Sequence, residues 1–259
     1  MEPPIPPLLA SILFFVGMWI SLEVGWQFGV NRRSKESEGE RNSLGIIEGA
    51  LFAMFGLVLA FSFSGAASRF NEKRMLIAEE VNTIETAYLR VQLLSPVAQP
   101  ELRDLFREYV DSRVATYRKL PDMMAAEKEM SRYKELQHEI WTKSVAASFS
   151  HDSHPDAGKL LLPALNNMID ISTTRTMALR IHPPRVIFVL LFALGLICSV
   201  LAGYRIASGH HRSWVHIVGF TAMTVIIVFV ILDVEYPRAG LIRIESPDQL
   251  LLNVRDRLN

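Results

Sequence analysis

Two uninterrupted apolar runs decide what this chain can fold into. Residues 186–204 and 214–232 are each nineteen positions long and contain no Asp, Glu, Lys or Arg. As an α-helix such a run is about 29 Å long, close to a hydrocarbon core of about 30 Å. Two further apolar runs precede them. The first, 8–28, opens with fifteen uncharged residues, and the second, 44–67, has Glu48 near its start. No basic residue leads into the first run, and no small-x-small site precedes Asn31. It therefore reads as an uncleaved span and not as a signal peptide.

Between the second and third runs lies a polar stretch, 68–184, that reads as helical. No glycine occurs between Gly65 and Gly158. Ile77, Val81, Ile84, Tyr88 and Val91 are spaced 4, 3, 4, 3, a heptad-like seam. No breaker separates this seam from span two, so one helix is expected from about 44 to 94, ended by Pro96 and Pro100. A second helix is expected over 101–120, with Leu102, Phe106, Tyr109, Arg113 and Tyr117 on one face. Asp122 is placed to cap a third, which turns Met130, Tyr133, Gln137, Ile140 and Trp141 inward. A fourth covers about 159–181, with a seam of Leu161, Leu165, Met168 and Ser172.

Charge excludes some functions. Lys+Arg and Asp+Glu are both 27, so there is no excess of cations for displacing counterions from a nucleic acid. A single cysteine, Cys198, excludes an internal disulfide and a cysteine-based zinc site. The loop around His151 and His154 carries metal-capable side chains but lacks a third fixed ligand, so neither metal nor cofactor is expected. No nucleotide-binding glycine motif or hydrolase elbow occurs, and no enzymatic activity is expected. Cations flank both sides of the spans and do not settle orientation.

Span two is the most patterned segment. Gly45, Gly49, Ala53, Gly56, Ala60, Ser64 and Ala67 form a stripe of small residues along one helix face. In lipid such a stripe permits close helix packing. Repeated around a symmetry axis, it is instead a pore face. Phe52, Phe55, Leu59 and Phe63 form a neighbouring face that is either packed or, as a ring, a constriction that gates by dewetting. Glu48 lies one turn into this helix, where a carboxylate faces water, protein or an ion path. Arg69, Glu72, Lys73, Arg74, Glu79 and Glu80 follow the span and read mostly as a solvated, mutually paired face. Asp233, Glu235 and Arg238, with Arg243, close span four as a local salt-bridge cluster or as a charged ring.

Several runs together carry a resemblance. They are Glu48-Gly-Ala-Leu-Phe-Ala, Leu59-Ala-Phe-Ser-Phe-Ser-Gly-Ala, Glu79-Glu80-Val-Asn82, Arg107-Glu-Tyr109 and Asp233-Val-Glu235-Tyr-Pro-Arg238-Ala-Gly-Leu-Ile-Arg243. With them the chain resembles the bacterial membrane proteins termed bestrophin-like. The resemblance implies a homo-oligomeric ion channel, pentameric as in bestrophins proper, with four spans per subunit and span two lining the pore. It also implies a multi-pass protein of the bacterial inner membrane whose helical insert faces the cytosol.

The expectations are therefore an all-α integral membrane protein, with spans one and two in 1–67, a membrane-proximal helical bundle in 68–184, and spans three and four with a short tail in 185–259. The pore or gate candidates are Phe52, Phe55, Leu59, Phe63, Ala53 and Ala60. Glu48, Arg69, Asp233, Glu235 and Arg238 are the charged candidates at the membrane edge. The expected partners are the lipid bilayer, small ions and further copies of the chain, with no nucleic acid. The alternative is a membrane scaffold whose insert docks a partner protein.

Overall fold

The computed structural model describes residues 5–32, 38–119, 122–179, 181–207, 214–236, 241 and 245–258. Its regular elements there are helices: α1 (Pro7–Arg32), α2 (Glu38–Arg90), α3 (Gln99–Lys119), α4 (Met123–Ser148), α5 (Ala157–Ala178), α6 (Arg185–Ile206), α7 (Trp214–Glu235) and α8 (Glu245–Arg257). Among the described residues there is no strand. Four helices are long and apolar enough to cross a membrane: α1, α2, α6 and α7. The apolar part of α2 is 44–67, because charged side chains recur from Arg69 onward. The long helix expected over 44–94 is present as α2, which tightens into a 3-10 turn at Val91–Leu93 before Leu94 becomes extended.

The chain forms two compact units, and α2 contributes to both. The first unit comprises Glu2–Phe70 and His182–Ile242. Within it α1 and α6 meet backbone to backbone. A Cβ added at Gly25 would stand 1.9 Å from the Val200 carbonyl oxygen, and one at Gly203 would stand 2.0 Å from that of Leu22. Only glycine fits at either point. The close approach replaces the hydrophobic drive that is absent between helices in lipid with dispersion contacts. Phe14, Met18, Phe55, Leu191, Leu194, Cys198, Val228 and Leu232 fill the interior. The hydroxyls of Ser11, Ser199 and Thr221 donate to carbonyls one turn back, so these polar atoms are satisfied without water.

The second unit comprises Asn71–Ile181 and Arg243–Asn259. The seam of α2 supplies buried Ile77, Val81, Ile84 and Val91, with Tyr88 partly buried. From α3 come Leu102, Phe106, Tyr109, Arg113 and Tyr117, all buried as their spacing requires. Asp122 caps α4 by accepting from the Ala125 amide at 3.1 Å. Tyr133, Gln137 and Ile140 are buried along α4, and Met130 and Trp141 are partly so. From α5 come Leu161, Leu165, Met168 and Ser172. The tail adds an element that its sequence did not announce: α8 buries Leu251 and Val254 in this same core, followed by Leu258. The Leu258 carbonyl accepts from the Tyr88 hydroxyl at 3.0 Å and from Arg107 Nε at 2.9 Å.

Candidate functional site

The pattern on α2 separates into two faces with different surroundings. Phe55 is 3% exposed and lies inside the core of its own unit. Phe52 and Leu59 pack against that core, and Phe52 meets Phe220 edge-on at 5.8 Å between ring centroids. Within the protomer Phe55 therefore fills space between helices, as the packed alternative for this aromatic face has it. Phe63 differs, being 46% exposed. Gly49, Ala53, Gly56 and Ala60 are exposed too. At one residue per 100° these four and Phe63 lie within roughly 80° of one another. A Cβ added at Gly49 or Gly56 would meet nothing within 4 Å. Gly49 and Gly56 of the small stripe thus face open space in the protomer, whereas Gly45 lies against Arg205, and the apolar part of α2 is the least buried of the four candidate spans.

Ion pairs tie both ends of this span to neighbouring helices of its unit. At one end Glu48 is buried and pairs with Arg205 of α6 at 3.0 Å, next to Gly45. At the other, Arg69 donates from Nε at 2.9 Å and Nη2 at 2.7 Å to the same oxygen of Glu235, whose side chain is fully buried. Glu48 and Arg69 are 21 residues apart, about 31 Å of helix, which is the thickness of a hydrocarbon core of about 30 Å. Each pair ties one end of span two to a neighbouring helix.

The Glu235 end is elaborated. Its other carboxylate oxygen is 3.1 Å from Nδ1 of His182, just ahead of α6. The Tyr236 ring stacks on that imidazole at 4.7 Å. Asp233, also buried, accepts from the Leu241 amide at 2.8 Å. The structure thus joins Arg69 to Glu235, while Asp233 accepts from the Leu241 amide. Arg238 and Arg243 lie outside the described residues.

A second charged cluster sits inside the other unit. Glu80 of α2 bridges Arg113 of α3, at 2.5 Å, and Arg175 of α5. Glu80 was expected on a solvated face, but its side chain is fully buried, because it lies on the inward side of the seam between Ile77 and Ile84. Aromatic rings enclose the group: Arg113 stands over Tyr133 at 4.4 Å and Arg175 over Tyr117 at 3.5 Å. Burial acts most strongly to raise the Glu80 carboxyl, yet the two guanidinium groups outweigh it and hold it below its ordinary value. Burial likewise pushes the Tyr117 hydroxyl up to about 12, with Arg113 opposing. One carboxylate thus holds guanidinium groups from two other helices, so the cluster acts as a lock between three helices.

Two features escaped the sequence reading although their signals were present. Gly25 and Gly29 form a Gly-x-x-x-Gly step in span one, and Gly195, Ser199 and Gly203 repeat small residues every fourth position in span three. The ligation of Glu80 was not legible, because nothing in the local spacing relates it to Arg113 or Arg175, 33 and 95 residues away.

The family model for the bestrophin-like domain matches residues 19–248. No curated protein and no solved structure matches the chain.

Proposed function

Because the chain belongs to the bestrophin-like family, we propose that it is a homo-oligomeric membrane channel for small ions, with the exposed face of α2 lining the path. The observation that carries this reading is the small stripe from Gly49 to Ala60. It leaves open space in the protomer where a packing role inside the chain would fill it. Copies arranged around an axis give that face a neighbour or a lumen. Phe63, exposed on the same side, then narrows the path as an apolar ring that holds it dry. Glu48–Arg205 and Arg69–Glu235 keep each span two at fixed depth, so copies align their rings.

The wider reading is a pentamer in the bacterial inner membrane, with residues 68–184 as a helical bundle next to the membrane on its cytosolic side and no enzymatic role. Dewetting depends on radius and polarity, so Phe63→Ser and Phe63→Ala should raise ion flux from reconstituted liposomes while leaving the oligomer intact. A scaffold reading expects neither wild type nor variant to conduct. Silence of both across several ions, with the oligomer preserved, would replace the channel with the scaffold.

A further inference from the structure

We propose that neighbouring copies of the chain meet flank to flank through their helical bundles, an acidic groove between α2 and α5 of one copy receiving a basic groove between α3 and α8 of the next. The contact rests on the homo-oligomer reading and assigns the surfaces that join the copies. A ring built by rotation about one axis needs two different, complementary patches, because each copy turns opposite sides to its two neighbours. The bundle carries such a pair.

Glu80 bridges Arg113 of α3 and Arg175 of α5, so these two helices flank α2 on either side. On the α5 flank, Glu79 and Asp170 line a groove with Thr83, Asn167 and Thr174, and no cation lines it. Both acids are exposed. Asp170 accepts from the Asn166 amide at 3.2 Å, and Glu79 has no ion-pair partner among the described residues. On the α3 flank, Arg118, Lys119 and Arg255 line a second groove with one acid, Asp111. Asp111 pairs with Arg255, and Lys119 with Glu129 at 2.7 Å. Arg118 is exposed and has no ion-pair partner among the described residues.

The charges also match in level. Both flanking helices run antiparallel to α2: Arg103 meets Tyr88 and Arg113 meets Glu80, while Arg90 meets Leu160 and Arg175 meets Glu80. Counted from the Glu80 pairs, Arg118 stands level with Met75, the Asp111–Arg255 pair with Asn82, and Asp170 with Glu85. Glu79 and Asp170 are thus six residues of helix apart, about 9 Å, and Arg118 and Asp111 seven, about 10.5 Å. A shift of about one turn between neighbours puts Glu79 opposite Arg118 and Asp170 opposite Arg255. Exposed pairs add little affinity, but like charges facing each other repel, so these groups fix which flank meets which. With the flanks joined, the exposed side of α2 between them faces the axis.

Native mass spectrometry of the full-length protein in detergent reports first whether copies assemble. A monomeric wild type would remove the oligomer reading and this contact with it. In an assembled protein, Glu79→Cys and Arg118→Cys are combined with Cys198→Ala and treated with a flexible bifunctional thiol reagent. Covalent products of more than two copies are expected, because each chain links to both neighbours, while chains bearing only one of the two thiols should stay unlinked. Failure of the double-thiol chain to pass two copies, or linking of either single-thiol chain, would overturn the contact and leave the oligomer reading standing. Arg118→Glu should lower the assembled fraction severalfold, and adding Glu79→Arg should restore it. Unchanged assembly in the first variant, or no recovery in the second, would overturn the charge match on which the contact depends.

Discussion

Glu80 on α2 and Arg113 on α3 form an ion pair at 2.5 Å in which neither side chain is exposed to solvent. Breaking a buried pair from one side strands the other charge, and the cost is about 3–5 kcal/mol. Glu80→Ala strands two guanidinium groups, so it should destabilise the protein at or above that range. Equilibrium unfolding in detergent, followed by the signal of buried Tyr109, Tyr117 and Tyr133, measures it. Removing Glu85, whose partner Arg257 is largely exposed, should cost little.

The same carboxylate sets an acid limit. Its folded value is depressed below the ordinary 4.5, so below that pH the unfolded chain binds more protons than the folded one. The stability it contributes is fully present above 4.5 and drains away as pH falls toward the folded value. A titration of unfolding midpoint against pH should steepen below 4.5 in wild type, and Glu80→Gln should flatten that part of the curve while lowering it overall.

Glycines in the spans should divide sharply by position. Gly25→Leu forces side-chain atoms into the Val200 backbone and should prevent a folded protomer, beyond the usual cost of about 1–3 kcal/mol for overpacking. At Gly56 a Cβ would meet nothing within 4 Å in the protomer, so Gly56→Leu should fold and insert but lose its oligomer. Native mass spectrometry of both proteins in detergent separates the two outcomes.

Orientation is tested at Ser131, on the exposed side of α4. With residues 68–184 in the cytosol, Ser131→Cys should resist an impermeant thiol reagent in intact cells and react after permeabilisation. Native Cys198 is buried and should stay silent throughout.

Much of this architecture was legible because its signals are local. Apolar run length marked the four spans, seam spacing placed Ile84 and Leu165 inside, and Asp122 announced a helix start. What failed to show depends on contacts distant in sequence. Phe55 and Phe63 are both aromatic and eight residues apart, yet one is core and the other exposed, and only the positions of α1, α6 and α7 tell them apart. Likewise, Glu235 reads as one acid among several until Arg69 and His182 arrive at its two oxygens.

The central claim is that the exposed small face of α2 borders the ion path, and a thiol placed on that face tests it most directly. Ala60→Cys, combined with Cys198→Ala to leave one thiol, is reconstituted and its ion flux followed before and after a charged, water-soluble methanethiosulfonate reagent. The account predicts that the reagent reacts and flux falls, while the same reagent leaves Cys198→Ala alone unchanged. Full reaction of the introduced thiol with undiminished flux, or a thiol that stays unreactive in a conducting protein, would contradict it.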